Sequence, residues 1–319
     1  MAGRECASPG AQRRTPRTPT PLRTAAFPAG LEAGAPILPM NFLHALLEPD
    51  SLLPAGFVAG LLAAVACGLL GPLVITRRIV FLCEGISHAA LLGVGAAIAA
   101  RALAPWLPAC INPSLLALAT ALFAALLLAW LHGRPGVRMD AMIGGLVAVG
   151  LSGGVLLAGL APNHRGNLMA ALFGNIAVVG WPQVCWLAAL DAVILAVLAL
   201  FYKQFLALCV DERQLKLQGM KASLIHALLL AMVAMTVVAL MQVVGTMFVL
   251  ALMALPAATA ALFQSRLKGM MGWAIVICAV ETTLPRALVY GTRVGPEAAI
   301  VLSAGLVFLG ALGWKKLRG

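Results

Sequence analysis

Charged residues are scarce in this chain. Only 10% of its 319 residues are Asp, Glu, Lys or Arg, whereas 62% are hydrophobic, and the mean hydropathy is +1.00. A soluble protein of this length needs a polar surface around its core, and so few charges do not provide one. The composition therefore excludes a water-soluble globular protein and predicts a protein that crosses a membrane several times.

Further absences narrow the function classes. The seven cysteines form no C-x-x-C pair, which disfavours a disulfide framework or a thiolate metal site. No G-x-x-x-x-G-K-[ST] motif occurs, so the chain lacks this phosphate-binding loop of ATPases. The net charge of +11 does not indicate nucleic-acid binding. Many of the cations lie near the N-terminus or in short loops between apolar runs, as is typical of the cytoplasmic face of a membrane protein.

The chain divides into two parts of different composition. Residues 1–39 are rich in Pro, Arg and Thr and show no apolar periodicity, which predicts a disordered basic tail. Met40 opens a more natural start for a membrane chain, so the tail is either dispensable or the product of a mis-assigned start. Residues 40–319 form the predicted transmembrane domain.

Apolar runs of membrane-spanning length follow one another through this domain. The long run 223–263 exceeds one crossing, and we divide it at QVVGT, residues 242–246. Residues 168–179 are short for a crossing and are interpreted as a half-helix or a re-entrant segment. The fold class is therefore all-α, a polytopic transmembrane helical bundle of eight or nine segments. The remaining predicted spans are 52–75, 79–100, 114–131, 141–161, 184–202, 270–290 and 298–314.

Lys and Arg in the short loops predict the orientation of these spans. The arginines at 77–78 and at 134 and 138, the basic loop 203–222 and the C-terminus would all face the cytoplasm. Nine crossings place the N-terminus outside, whereas counting 168–179 as a further crossing would invert every span before it.

Glu84 and His88 stand out inside an apolar span. They are four residues apart, so their side chains share one face of one helix. A carboxylate and an imidazole suit Zn²⁺, Mn²⁺ or Fe²⁺, and ionisable residues in spans usually mark ion or substrate paths. The alternative is a purely structural pair that hydrogen-bonds each other and a neighbouring helix.

Four segments together resemble the permease subunits of ABC-type importers for zinc, manganese and iron, the ABC-3 family. They occur in the family's order: GLLGPLVITRRIVFLCEGISHAALLGVG, NLMAALFGNI, DERQLKLQG and GTMFVLALMALPAATAALF. The resemblance implies the ABC-3 permease architecture and a metal-ligand role for Glu84 and His88. The chain departs from the family's pattern at Glu84, where Asp is usual, at Ala171, where Tyr is usual, and at Leu215, where Ala is usual.

The loop 203–222 carries a predicted docking element. Asp211 is a good N-cap, ERQLKLQ a short helix, and Gly219 a good residue to end it in the left-handed conformation. The resemblance implies that this helix docks in a cleft of an ATPase subunit, with Asp211, Leu215 and Gly219 as its motif positions. The alternative is an ordinary interfacial helix.

Pro256 lies within a span, where it deprives the Leu252 carbonyl oxygen of its usual hydrogen-bond donor and is expected to shape the helix.

The sequence therefore predicts a transport subunit that is not itself an enzyme. The expected protein is the multi-pass permease of an ATP-driven metal importer in a bacterial cytoplasmic (inner) membrane, with zinc first and manganese or iron as alternatives. The expected partners are a separate ATPase, an extracytoplasmic metal-binding protein, a second permease copy and the lipid bilayer, with no nucleic acid. No permanently bound cofactor is expected. The alternatives are a permease for a metal chelate, such as a siderophore or cobalamin, and a secondary carrier without an ATPase.

Overall fold

The computed structural model describes most of the chain from residue 53 onward. Neither the N-terminal tail, residues 1–39, nor Asp211 and Leu215 fall within the described residues. These residues are 53–103, 112–132, 134, 136, 138–161, 171–174, 179–210, 219, 221–289 and 295–318.

Nine long helices make up this part of the chain, and none of its residues lies in a β-strand. Each helix is long and apolar enough to cross a membrane. The predicted all-α transmembrane bundle is therefore confirmed. The helices are α1 (Leu53–Thr76), α2 (Val80–Leu103), α3 (Pro113–Leu131), α4 (Met139–Gly159), α5 (Trp181–Val210), α6 (Ala222–Val243), α7 (Thr246–Phe263), α8 (Leu267–Val289) and α9 (Pro296–Arg318).

Local signals explain several helix boundaries. Asn112 caps α3, since its side chain accepts a hydrogen bond from the backbone N–H of Ser114 at 3.2 Å, and Pro113 follows as the first helical residue. The predicted break at residues 242–246 is present as well. There α6 ends at Val243 and α7 begins after Gly245, whose φ of +86° is a conformation that favours glycine.

Helix α5 is longer than the sequence indicates. Its apolar run was predicted to end at residue 202, but the helix continues to Val210 through a kink at Phe201 (φ −105°, ψ 16°). The first part of the predicted loop 203–222 is therefore helical. No proline or glycine marks this kink, so the sequence carries no local signal for it.

The segment before α5 contributes one short helical turn, residues 171–173, to the described residues. Gly174, with φ of +78°, lies against the α6–α7 turn. A Cβ on Gly174 would lie 2.4 Å from the carbonyl carbon of Val244. The hydroxyl of Thr246 donates to the carbonyl oxygen of Ala171 at 3.3 Å. The turn is thus fastened to the start of α7, and it does not form a further crossing within the described residues.

Helices α1 and α2 occupy the centre of the bundle. Helix α2 packs against α3, α4, α6 and α7, while α1 packs against α5, α6, α7 and α8. Helix α9 packs on α7 and α8 at the periphery. Most residues of α2 are buried, which places the segment around Glu84 and His88 inside the protein.

Three contacts bring the basic ends of the helices to one end of the bundle. The guanidinium of Arg77, in the α1–α2 turn, donates to the carbonyl oxygen of Leu208 near the end of α5 at 2.9 Å. The ammonium of Lys268, at the start of α8, lies 5.2 Å from the ring centre of Tyr202. The third contact joins α3 to α6 through two histidines, described below. A common basic end is what the positive-inside rule expects of the cytoplasmic face.

Candidate functional site

Helix α2 is held against α4 by backbone contacts at glycine. A Cβ on Gly150 of α4 would lie 2.5 Å from the carbonyl oxygen of His88, and one on Gly95 of α2 would lie 2.4 Å from the carbonyl oxygen of Gly154. Only glycine allows the two helices to approach this closely. The backbone of His88 is therefore fixed in place by α4.

Glu84 and His88 do lie one turn apart on α2, as predicted, and His88 is buried whereas Glu84 is half-buried. The imidazole Nδ1 of His88 lies 3.0 Å from the carbonyl oxygen of Glu84, and the hydroxyl of Ser87 donates to the same oxygen at 2.8 Å. Within the described residues, no hydrogen bond joins the Glu84 carboxylate to the His88 ring. The structural alternative, in which the two side chains bond each other, is not seen.

The hydrogen bond of His88 determines which ring nitrogen can bind a metal. A carbonyl oxygen only accepts, so this bond forms in the tautomer that carries the proton on Nδ1. In the neutral ring, Nε2 then carries the lone pair and is available as a ligand. A ring N–H held by a backbone carbonyl is the usual arrangement of a metal-binding histidine.

Glu84 and His88 do not form a closed metal site by themselves. Across the described residues, no three His, Cys, Asp or Glu side chains are arranged to hold one ion. Two further carboxyls, Asp191 of α5 and Glu281 of α8, are buried inside the bundle, and their oxygens have no hydrogen-bond partner among the described residues. Asp191, in the middle of its span, therefore forms no hydrogen bond to another helix among the described residues.

The predicted coupling residues are only partly described. Gly219 has φ of +73°, the left-handed conformation expected of a residue that ends a helix. A Cβ at Gly219 would meet nothing within 4 Å, so the requirement for glycine is conformational and not steric. Asp211 and Leu215 lie outside the described residues, and their docking role stays a prediction.

Pro256 is buried within α7, which is helical on both sides of it. Its helix meets α1 nearby, where a Cβ on Gly71 would lie 2.6 Å from the carbonyl oxygen of Met253. Two other prolines, Pro72 of α1 and Pro285 of α8, also lie inside helices. The expected shaping role of Pro256 stays a prediction.

Sequence reasoning missed the residues that support the site. Ser87 donates to the same carbonyl oxygen as His88, and Gly150 packs against the backbone of His88. Arg77 joins the start of α2 to the end of α5. In the sequence, Arg77 and Arg78 indicate the orientation of the spans and belong to a segment that resembles the family, but neither signal predicts the contact with α5. The small number of residues between these arginines and Glu84 is the one feature of the sequence that indicates a positioning role.

Comparison with known protein families decides the class. A model of the family described as "ABC 3 transport family" matches residues 50–315. The chain belongs to the ABC 3 transport family. It is therefore a transport subunit that spans the bacterial inner membrane several times, as predicted.

Curated relatives cover nearly the same region. A "Probable metal transport system membrane protein" of Chlamydia pneumoniae is 31% identical over 80% of this chain and 86% of the relative. The "High-affinity zinc uptake system membrane protein ZnuB" of Haemophilus influenzae is 26% identical, over 79% and 93%. The "Manganese import system permease protein ScaB" of Streptococcus gordonii is 28% identical, over 82% and 91%.

A solved structure shares the fold of this ABC 3 chain. It is titled "PsaBC from Streptococcus pneumoniae in complex with Fab", and the match has a TM-score of 0.77 at 27% sequence identity. It covers 88% of this chain and all of the matched chain. The predicted permease architecture is thus confirmed by sequence and by structure.

Proposed function

We propose that this chain is the permease subunit of an ATP-driven importer of a divalent transition metal. Zinc is the first candidate, with manganese or iron as alternatives. The similar proteins described above include one named for zinc uptake and one named for manganese import. The observation that carries the proposal is the geometry of His88, whose Nδ1 is held by the Glu84 carbonyl oxygen at 3.0 Å. Family membership favours an importer over a carrier that works without an ATPase.

Glu84 and His88 would form a transit site for the ion. The carboxylate supplies the negative charge that offsets the cost of a cation inside the membrane, and Nε2 of the imidazole supplies a ligand suited to these metals. Two protein ligands per chain, completed by water or by a second permease copy, bind more weakly than the four protein ligands typical of a structural zinc site. A weak site suits an ion that must be released.

Energy for transport would come from a separate ATPase that docks on the segment ending at Gly219. Arg77 offers a physical connection from that segment to the transit site. Its guanidinium holds the last turn of α5 at Leu208, and α2 begins three residues after Arg77. An extracytoplasmic metal-binding protein would deliver the ion, and two copies of the permease would pair.

Three substitutions on α2 test the transit site. His88→Ala should abolish metal uptake, and Glu84→Gln should impair it strongly, because each removes one ligand while the α2–α4 backbone contact persists. Glu84→Asp keeps the charge and should be tolerated. Uptake of Zn²⁺ and of Mn²⁺ would be measured in cells, beside the abundance of each variant in the membrane.

Cys83→Ala provides a matched control on the same helix. Cys83 precedes Glu84, is buried, and directs its thiol to the carbonyl oxygen of Ile79 at 3.6 Å, so its loss should leave uptake intact. Wild-type uptake in Glu84→Gln would refute the metal path. Reduced membrane abundance of His88→Ala, with full uptake per molecule, would instead give this histidine a structural role.

A further inference from the structure

Two histidines meet where α3 ends and α6 begins. His132 is the C-cap of α3 and is exposed, whereas His226 lies in α6 and is buried. Their ring centroids are 4.4 Å apart, and the ring planes are tilted by 30°. The fold thus brings together two imidazoles from distant parts of the sequence.

This pair lies at the basic end of the bundle, the end at which α2 also begins. Glu84 and His226 are each the fifth residue of their helix, about 6 Å along the axis from the helix start. Helix α2 packs against both α3 and α6, the two helices that carry the pair. Glu84 and the histidine pair therefore lie at a similar distance from this end of the bundle, on helices that pack against each other.

Imidazole is a ligand suited to zinc and to iron, two of the candidate metals. We propose that His132 and His226 form a second site for the transported divalent metal, at the cytoplasmic end of the bundle, which holds the ion between the transit site and its release. The inference rests on the proposed function, since it assigns a further step to the same cargo.

Binding requires a rearrangement that the structure permits. Stacked rings present their faces to each other, whereas a bound ion lies in the plane of each ring, so one ring must turn. His132 sits at a helix end with an exposed side chain and can do so, while His226 is held within α6. Two neutral ligands in a basic region, with Arg134 two residues after His132, bind a cation weakly, as an exit site must.

The experiment measures Zn²⁺ binding to the full-length chain in detergent, without a polyhistidine tag, by competition with a fluorescent zinc chelator. The starting protein is the double variant Glu84→Gln/His88→Ala, in which the transit site is absent. We expect this protein to retain about one saturable Zn²⁺ equivalent per chain, and the added His132→Gln to remove it. Because His132 is exposed, its replacement should leave the fold intact, which the melting temperature checks.

A matched control is Asp140→Asn, which removes an exposed acidic ligand near the start of α4. It should leave Zn²⁺ binding unchanged. Unaltered binding after His132→Gln, or no saturable binding in the double variant, would overturn the second site. The proposed function is judged separately, by uptake in the Glu84 and His88 single variants, so either idea can fail alone.

Discussion

The contact between α2 and α4 gives the sharpest test of how the transit site is held. In Gly150→Ala, the added methyl carbon would lie 2.5 Å from the carbonyl oxygen and 2.6 Å from the carbonyl carbon of His88. Such a carbon essentially never approaches another heavy atom within 3.0 Å, and helix backbone cannot rotate away as a side chain can. The helices must therefore separate by about 0.5 Å or more at His88.

The expected cost is about 1–3 kcal/mol, the usual range for overpacking a well-packed core. The assay is the melting temperature of the purified chain in detergent, followed by metal uptake in cells. We expect melting several degrees below that of the wild type. Uptake per molecule should fall as well, because the displaced backbone carries the imidazole ligand.

Gly144→Ala is the matched control, since it places the same methyl group on the same helix. A Cβ at Gly144 would meet nothing within 4 Å. Alanine also favours a helix over glycine by up to about 1 kcal/mol, so this variant should melt at or above the wild-type temperature. If Gly150→Ala and Gly144→Ala melt together, the close α2–α4 contact does not exist as described.

Other variants test separate parts of the reasoning. Arg77→Gln removes the charge-assisted hydrogen bond to the Leu208 carbonyl oxygen and should lower metal-stimulated ATP hydrolysis in the assembled importer. Arg78→Gln changes the exposed neighbouring arginine and should leave this hydrolysis unchanged. Asp191→Ala removes a buried carboxyl that has no hydrogen-bond partner among the described residues. It should raise the free energy of unfolding by roughly 1–3 kcal/mol, and with it the melting temperature, while uptake stays unchanged. A loss of uptake would give Asp191 a transport role. Gly219→Val opposes the left-handed φ of +73° and should weaken co-purification of the ATPase at normal membrane abundance, and full co-purification would remove the docking role.

Much of the helical framework could be predicted because its signals are local. The length of each apolar run, Asn112 before Pro113, and the glycine at 245 locate helix boundaries to within a few residues. The end of α5 was missed because residues 203–210 contain polar side chains, which suggested a loop. Continuation of the helix there is a property of tertiary packing, and Phe205 and Leu208 are fully buried.

The candidate site was predictable only where its residues are neighbours in sequence. Glu84 and His88 were found because a spacing of four residues places them on one helix face. The hydrogen bond from Nδ1, the close approach of Gly150 and the stack of His132 on His226 depend on rotamers and helix packing. No periodicity in the sequence connects residues that lie on different helices, so these features required the three-dimensional structure.

The mutual contact of Gly174 and Gly245 has a consequence for the history of this family. A Cβ on Gly245 would lie 2.2 Å from the backbone nitrogen of Gly174, and both residues have positive φ. Neither position can acquire a side chain while the other segment stays in place, so selection acts on the two as a unit. Relatives that preserve this connection should keep glycine at both positions. A lineage that has lost one should show a compensating insertion or deletion in the segment before α5 or in the α6–α7 turn.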